Sequence, residues 1–129
     1  RRNDVDAIAI HRLGPILRSE RAAMTKTMLA WSRDQDMWKR RSAIICQVAA
    51  KQDTDLDLLY RAIEPNLADK EFFIRKAIGW VLRDTARRRP DLVYEWVLPR
   101  ASRASGVTLR EAVKPLSEDQ RAAVLAART

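Results

Sequence analysis

Phe72-Phe73-Ile74-Arg75-Lys76-Ala77-Ile78-Gly79-Trp80-Val81-Leu82 is the most regular stretch of the chain. From Ile74 onward its apolar residues recur at gaps of three and four, the spacing of one helical face. The pattern predicts a helix over 70–87. Working outward from it, every neighbouring segment has the same period. Leu56, Leu59, Ala62, Ile63 and Leu67 predict a helix over 55–67, capped by Asp53 or Thr54. Met37, Trp38, Ile44, Ile45 and Val48 predict one over 35–51, and Met24, Met28 and Trp31 one over 20–32. Val5, Ile8, Leu13, Ile16 and Leu17 form a face that Gly14-Pro15 should kink or break. On the C-terminal side, Pro90 opens a helix carrying Leu92, Val93, Trp96 and Val97. Gly106 breaks the chain before a short helix at 108–115. Ser117 and Gln120 make a capping box ahead of a last helix, 118–127. No alternating strand pattern of useful length is present, so the fold class is all-α.

The central stretch also has an echo. Arg41-Ser42-Ala43-Ile44, Arg75-Lys76-Ala77-Ile78 and Arg110-Glu111-Ala112-Val113 share the pattern Arg-x-Ala-(Ile/Val), at spacings of 34 and 35 residues. Trp38 and Phe72 precede the first two at the same distance, and one further step back from Arg41 lands on Asp6. Such a period with two helices per unit marks a helical repeat array, here a HEAT-like α-solenoid of stacked antiparallel helix pairs. The chain reads as a single helical-repeat domain over 1–129. Its opening at Arg1-Arg2, running at once into a patterned segment, reads as the C-terminal part of a longer solenoid. Equivalent positions of stacked repeats project from one surface, so Asp6, Arg41, Arg75 and Arg110 are expected in one row. Three cations suit a phosphate backbone. The carboxylate repels phosphate, and it fits either a transition state that develops positive charge or a salt bridge between Asp6 and Arg41.

Composition narrows the function classes. The 129 residues carry 25 Lys and Arg against 17 Asp and Glu, a net charge of +8, and 19 of the 25 are arginine. Arginine's planar fork suits phosphate, which makes nucleic acid a candidate partner. One cysteine, Cys46, excludes an internal disulfide framework and a cysteine-rich zinc site. One histidine, His11, leaves few ligands for a metal and makes serine- or cysteine-based nucleophilic catalysis improbable. No apolar run approaches the ~20 residues of a membrane span. These features predict an intracellular, cytoplasmic protein with no metal site and no membrane partner. Cys46, Trp31, Trp38 and Trp96 read as packing residues, His11 as structural, and Arg87-Arg88-Arg89 as a solvated run.

Trp38 to Ile44, Phe72 to Trp80, Val5-Asp6 ahead of an Ala/Ile-rich helix, and Leu109 to Val113 together resemble the DNA alkylation repair enzymes of the AlkD type. The resemblance runs in order from about residue 2 to 115. It implies a monofunctional DNA glycosylase that hydrolyses the N-glycosidic bond of cationic alkylated purines such as 3-methyladenine and 7-methylguanine. It implies a monomer that needs no metal and no cofactor, double-stranded DNA carrying alkylated bases as the substrate, a cationic groove and no deep base-flipping pocket. By the resemblance, Asp6 takes the place of the family's catalytic aspartate. Arg41 takes that of its groove arginine, holding a backbone phosphate, and Trp80 that of its lesion-facing tryptophan. Arg40, Arg75, Lys76 and Arg2 would line the DNA. The first motif departs from the family's Trp-Asp-x-Val-Asp: the chain has Arg2 for the tryptophan and Asn3 for the first aspartate. This removes one of two aromatic walls around the lesion. The alternatives are a non-catalytic nucleic-acid-binding module, which the Arg2 departure favours, and a HEAT-like protein-interaction scaffold.

Overall fold

The computed structural model describes residues 2–128, without the side chains of residues 2, 3 and 17–19. Among the described residues the fold is all-helical, with no strand. No described helix is long and apolar enough to cross a membrane. The backbone groups into two compact units, one ending at Asn66 and one beginning at Leu67.

The first unit holds α1 (Arg2–Ile8), α2 (Gly14–Ser19), α3 (Arg21–Trp31), α4 (Met37–Ile45) and α5 (Leu56–Ile63). At Gly14-Pro15, where a kink or break is expected, the helix is irregular but not broken. A π-helical turn, Ala9–Leu13, joins α1 to α2, and the Gly14 N–H donates to the Ala9 carbonyl five residues back. A proline ring crowds the carbonyl four residues earlier and offers no N–H. A widened turn relieves both problems while the chain stays helical.

Helix α4 is shorter than the predicted 35–51. Beyond it Ala49 (φ 67°) and Lys51 (φ 57°) adopt left-handed torsions. The buried Gln47 side chain fastens this loop: its Nε2 donates to the Asp55 carbonyl at 3.0 Å, and its Oε1 accepts from the Asp55 N–H at 2.6 Å. Asp55, rather than Asp53 or Thr54, caps α5, accepting from the Leu58 N–H at 3.1 Å. The core of the unit gathers Met28, Ala43, Cys46 and Leu58, flanked by Leu13, Met24, Leu29 and Trp31. Buried Asn66 is satisfied by the Ser32 and Ala62 carbonyls at 2.8 and 3.0 Å.

The second unit holds α6 (Phe72–Ala86), α7 (Pro90–Val97), α8 (Gly106–Ala112) and α9 (Glu118–Ala127). Ile74, Ala77, Ile78, Val81 and Leu82 are buried along α6 as the pattern predicts, whereas Phe72 is exposed. Pro90 is the first residue of α7, and the Ser117–Gln120 capping box is formed. Gly106 starts α8 rather than interrupting the chain, because Ser105 Oγ accepts from the Thr108 N–H and caps the helix. Gly79 brings α6 and α8 together. A Cβ there would lie 2.9 Å from Glu111 Cβ and 3.3 Å from the Thr108 carbonyl oxygen. Thr108 Oγ1 then reaches across to donate to the Arg75 carbonyl at 3.0 Å.

The sequence echo survives with one change of register. N-caps Asp36, Glu71 and Ser105 start α4, α6 and α8. Counted from these caps, Arg41, Lys76 and Arg110 share one position, and Arg40 and Arg75 share the position before it. The turns agree: Asp34 Oδ1 accepts from the Asp36 N–H and Asp69 Oδ1 from the Glu71 N–H, both at 2.8 Å. Arg40 Nη1 donates to the Asp34 carbonyl at 2.9 Å, and Arg75 Nε to the Asp69 carbonyl at 2.8 Å. Lys76, not Arg75, is therefore the counterpart of Arg41. The Arg-x-Ala-Ile match was one residue out of step because it aligned the letters and not the capping turns.

Filling the space at Gly79 must push α8 off α6. Gly79→Ala is expected to lower unfolding stability by about 1–3 kcal/mol, the range of core overpacking. Urea denaturation of the two proteins checks this; an unchanged midpoint would show that the contact yields freely.

Candidate active site and nucleic-acid interface

In the first unit, Asp6 on α1 meets Arg41 on α4. Arg41 Nε donates to Asp6 Oδ1 at 2.9 Å, and Arg41 Nη2 to Oδ2 at 3.1 Å. Arg41 is 1% exposed, whereas the Asp6 side chain keeps 16%. The fork-on-fork geometry fixes the plane of the carboxylate, and each oxygen has one further lone pair. The acid is thus held rigidly from the buried side and open on the other. Arg41, buried and facing Asp6, has no exposed fork for the phosphate contact expected of it. The salt bridge that the sequence allowed as an alternative is what forms.

Arg40 and Arg75 each spend a donor on the turn ahead of their own helix, and Arg40 Nη1 also reaches the Gln35 carbonyl at 3.0 Å. Both are partly buried. The side chain of Arg2 lies outside the described residues. His11 is exposed, as are Arg87 and Arg88. Trp31 packs against the core of the unit, as expected; it and Trp38 are partly exposed, and with Val5, Ile8, Leu13, Asp36, Lys39 and Ser42 they line an open cavity of about 270 Å³.

In the second unit, Trp80 sits on a partly exposed stripe of α6 shared with Phe73, Lys76 and Arg83. The opposite face of the helix is the buried one, so the indole keeps one side toward solvent. Lys76 Nζ lies 5.9 Å from the Phe72 ring centroid. Beside the stripe is a carboxylate that the sequence reading passed over as the variable residue of its repeat. Glu111 Oε1 accepts from Arg83 Nη1, and Oε2 from Lys114 Nζ, both at 2.7 Å. The Lys114 hydrogen bond holds the Glu111 carboxyl below its usual range. Partial burial opposes this, and the charges of Lys114, Arg83 and Lys76 add to it. Only the spacing of Glu111 from Lys114, three residues along the chain, hinted at the cluster.

Among the described residues, no group of three or more His, Cys, Asp or Glu side chains is arranged to hold a metal ion. The first unit thus offers an oriented carboxylate backed by a guanidinium; the second, by itself, offers a partly exposed indole on the same helical stripe as Lys76 and Arg83. Residues 2–116 match the model of the DNA alkylation repair enzyme family, and the chain belongs to that family. A solved structure described as a predicted DNA alkylation repair enzyme from Enterococcus faecalis is similar at 32% identity, with a TM-score of 0.76. The similarity covers 90% of this chain and 53% of that one, so this chain spans about half the length of that relative. No curated protein matches.

Because its folded-state pKa is lowered, the Glu111 carboxylate contributes stability above the ordinary glutamate range. That contribution is lost as pH falls through the folded value. Glu111→Gln is expected to flatten the acid limb of a Tm-against-pH profile and to leave its alkaline limb unchanged. An acid limb identical to that of the wild type would remove Glu111 from the linkage.

Proposed function

We propose that this chain is the catalytic portion of a monofunctional, AlkD-type DNA glycosylase with a HEAT-like repeat architecture, releasing cationic alkylated purines from double-stranded DNA in base excision repair. The observation that supports this most is the Asp6 carboxylate, locked in orientation by Arg41 and open on its other face, in a chain of this family.

Alkylation at N3 or N7 makes the purine a cationic, good leaving group. Cleavage of the N-glycosidic bond then places positive charge on the sugar. A carboxylate ~4 Å from that charge, at an effective dielectric near 20, stabilises it by ~4 kcal/mol. Arg41 opposes this from behind: at ~8 Å its repulsion is ~2 kcal/mol, leaving ~2 kcal/mol. That is between one and two powers of ten in rate. The remaining task is to orient and deprotonate the attacking water, and positioned general bases contribute ~10²–10⁴-fold. Asp6 is the catalytic residue of this reading, and Arg41 is a positioning residue rather than a phosphate ligand. Trp80 contacts the cationic base by stacking and cation–π attraction, worth ~0.5–2 kcal/mol. Lys76 contacts the backbone beside it, as does Arg2, and as do Arg40 and Arg75 through donors not spent on their own turns. The protein acts as a monomer inside the cell, without metal or cofactor.

A non-catalytic nucleic-acid-binding module is the second reading, favoured by Arg2 standing where the family has an aromatic wall. Base release from N-methyl-N-nitrosourea-treated DNA separates the two. Asp6→Asn is expected to lower the release rate at least tenfold while DNA affinity holds or rises. Equal release by both proteins removes Asp6 from the mechanism. DNA binding without release by the wild type leaves the second reading. Arg41→Lys, which replaces the fork with a single ammonium, is expected to lower kcat with KM nearly unchanged. A pure rise in KM would return Arg41 to a DNA-contact role.

A further inference from the structure

At the start of α8 two arginines converge on a residue without a side chain. The Arg110 side chain folds back one helical turn, toward the N-terminus, as helical side chains do. Its Nη1 reaches within 2.6 Å of where a Cβ of Gly106 would stand, and its Cζ within 3.3 Å. Arg128, following α9, brings its own Cζ to 3.3 Å from the same point. The two guanidinium carbons are therefore no further apart than the sum of those distances. Gly106 has an ordinary negative-φ backbone, since no glycine of the chain has positive φ. A side chain at this position would displace the flexible ends of the two arginines, not backbone.

Two like charges this close repel unless an anion lies between them. The protein's other cations near α8 have carboxylates: Arg83 and Lys114 both bind Glu111. Arg110 and Arg128 are both exposed, and among the described residues neither has a hydrogen-bond or ion-pair partner. We propose that Arg110 and Arg128, nested over Gly106, form a clamp for one phosphate of the DNA backbone. Paired guanidinium forks match the several oxygens of a phosphodiester better than a single ammonium does. Arg128 lies beyond the residues that match the family model. The clamp rests on the reading of this protein as DNA-binding and is independent of whether it cleaves.

The test is DNA affinity measured by fluorescence anisotropy over a range of salt, with base release at saturating DNA measured alongside. Each phosphate contact contributes about 0.9 to the slope of log affinity against log salt. Because the pair holds a single phosphate, Arg110→Gln with Arg128→Gln is expected to flatten the slope by about 0.9, and to leave the saturated release rate unchanged. Gly106→Ala keeps both charges but displaces Arg110, and is expected to flatten the slope in part. Arg87→Gln with Arg88→Gln removes the same charge from a different exposed site, and is expected to change the slope less than half as much. An unchanged slope in the double variant, or an equal effect of the Arg87 and Arg88 changes, overturns the clamp, as does a wild type that binds no DNA. Replacing chloride with inorganic phosphate at equal ionic strength is expected to leave wild-type affinity within twofold. A collapse there assigns the pair to free phosphate and overturns the backbone assignment. If base release is absent while the double variant still flattens the slope, the glycosylase reading fails and the clamp stands.

Discussion

A guanidinium with almost no exposure must have a partner, and in this chain Arg41 has Asp6. Removing either member of such a pair strands a charge, at a cost of about 3–5 kcal/mol in buried settings. The pair therefore ties α1 to α4 as firmly as an apolar contact would. It also fixes the carboxylate's orientation. An exposed aspartate rotates freely and shares its charge with solvent; this one presents a single edge. Catalysis by a fixed charge depends on such preorganisation more than on the size of the charge. The fold and the proposed chemistry share one interaction, and the arginine counts against the acid's electrostatic effect while securing its position.

The second unit uses its carboxylate differently. Glu111 has cations on two sides, Arg83 and Lys114, with Lys76 adding its charge. Its oxygens are occupied by donors and it serves to hold Arg83 of α6 and Lys114, just beyond α8, in place. A net charge of +8 is costly to gather on a small surface, and scattered carboxylates of this kind make it tolerable. At Arg110 and Arg128, which have no carboxylate partner among the described residues, the unbalanced field faces solvent.

Helix positions were legible because the apolar residues follow the helical period from Val5 to Val124 with few interruptions. Caps set by a single side chain, such as Ser117 with Gln120, were legible too. What escaped was set by tertiary contact. Gln47 closes a loop by pairing with Asp55 far down the chain, which shortens α4 and moves the cap of α5. No local pattern announces that. The echo between α4 and α6 was visible in the letters, yet its register was decided by hydrogen bonds in the capping turns, where Asp34 and Asp69 play the same part. The Asp6–Arg41 contact was legible as a spacing of 35 residues, but its burial was not. Periodicity says which residues share a face, not how deep that face lies. The all-helical class and the family were readable in the sequence. The partition of roles between Arg41, Lys76 and Arg110 required coordinates.

The π-helical turn at Ala9–Leu13 gives this stretch one residue more than an uninterrupted α-helix would use to cover the same rise. Each residue of an α-helix turns the chain by about 100°. If the surplus were lost from this segment, everything upstream would swing by that angle relative to Leu13 and α2. Asp6 would then point well away from Arg41, leaving the guanidinium buried and unanswered. The azimuth of the acid is set by a single-residue surplus downstream of it, so this stretch tolerates substitutions more readily than changes in length.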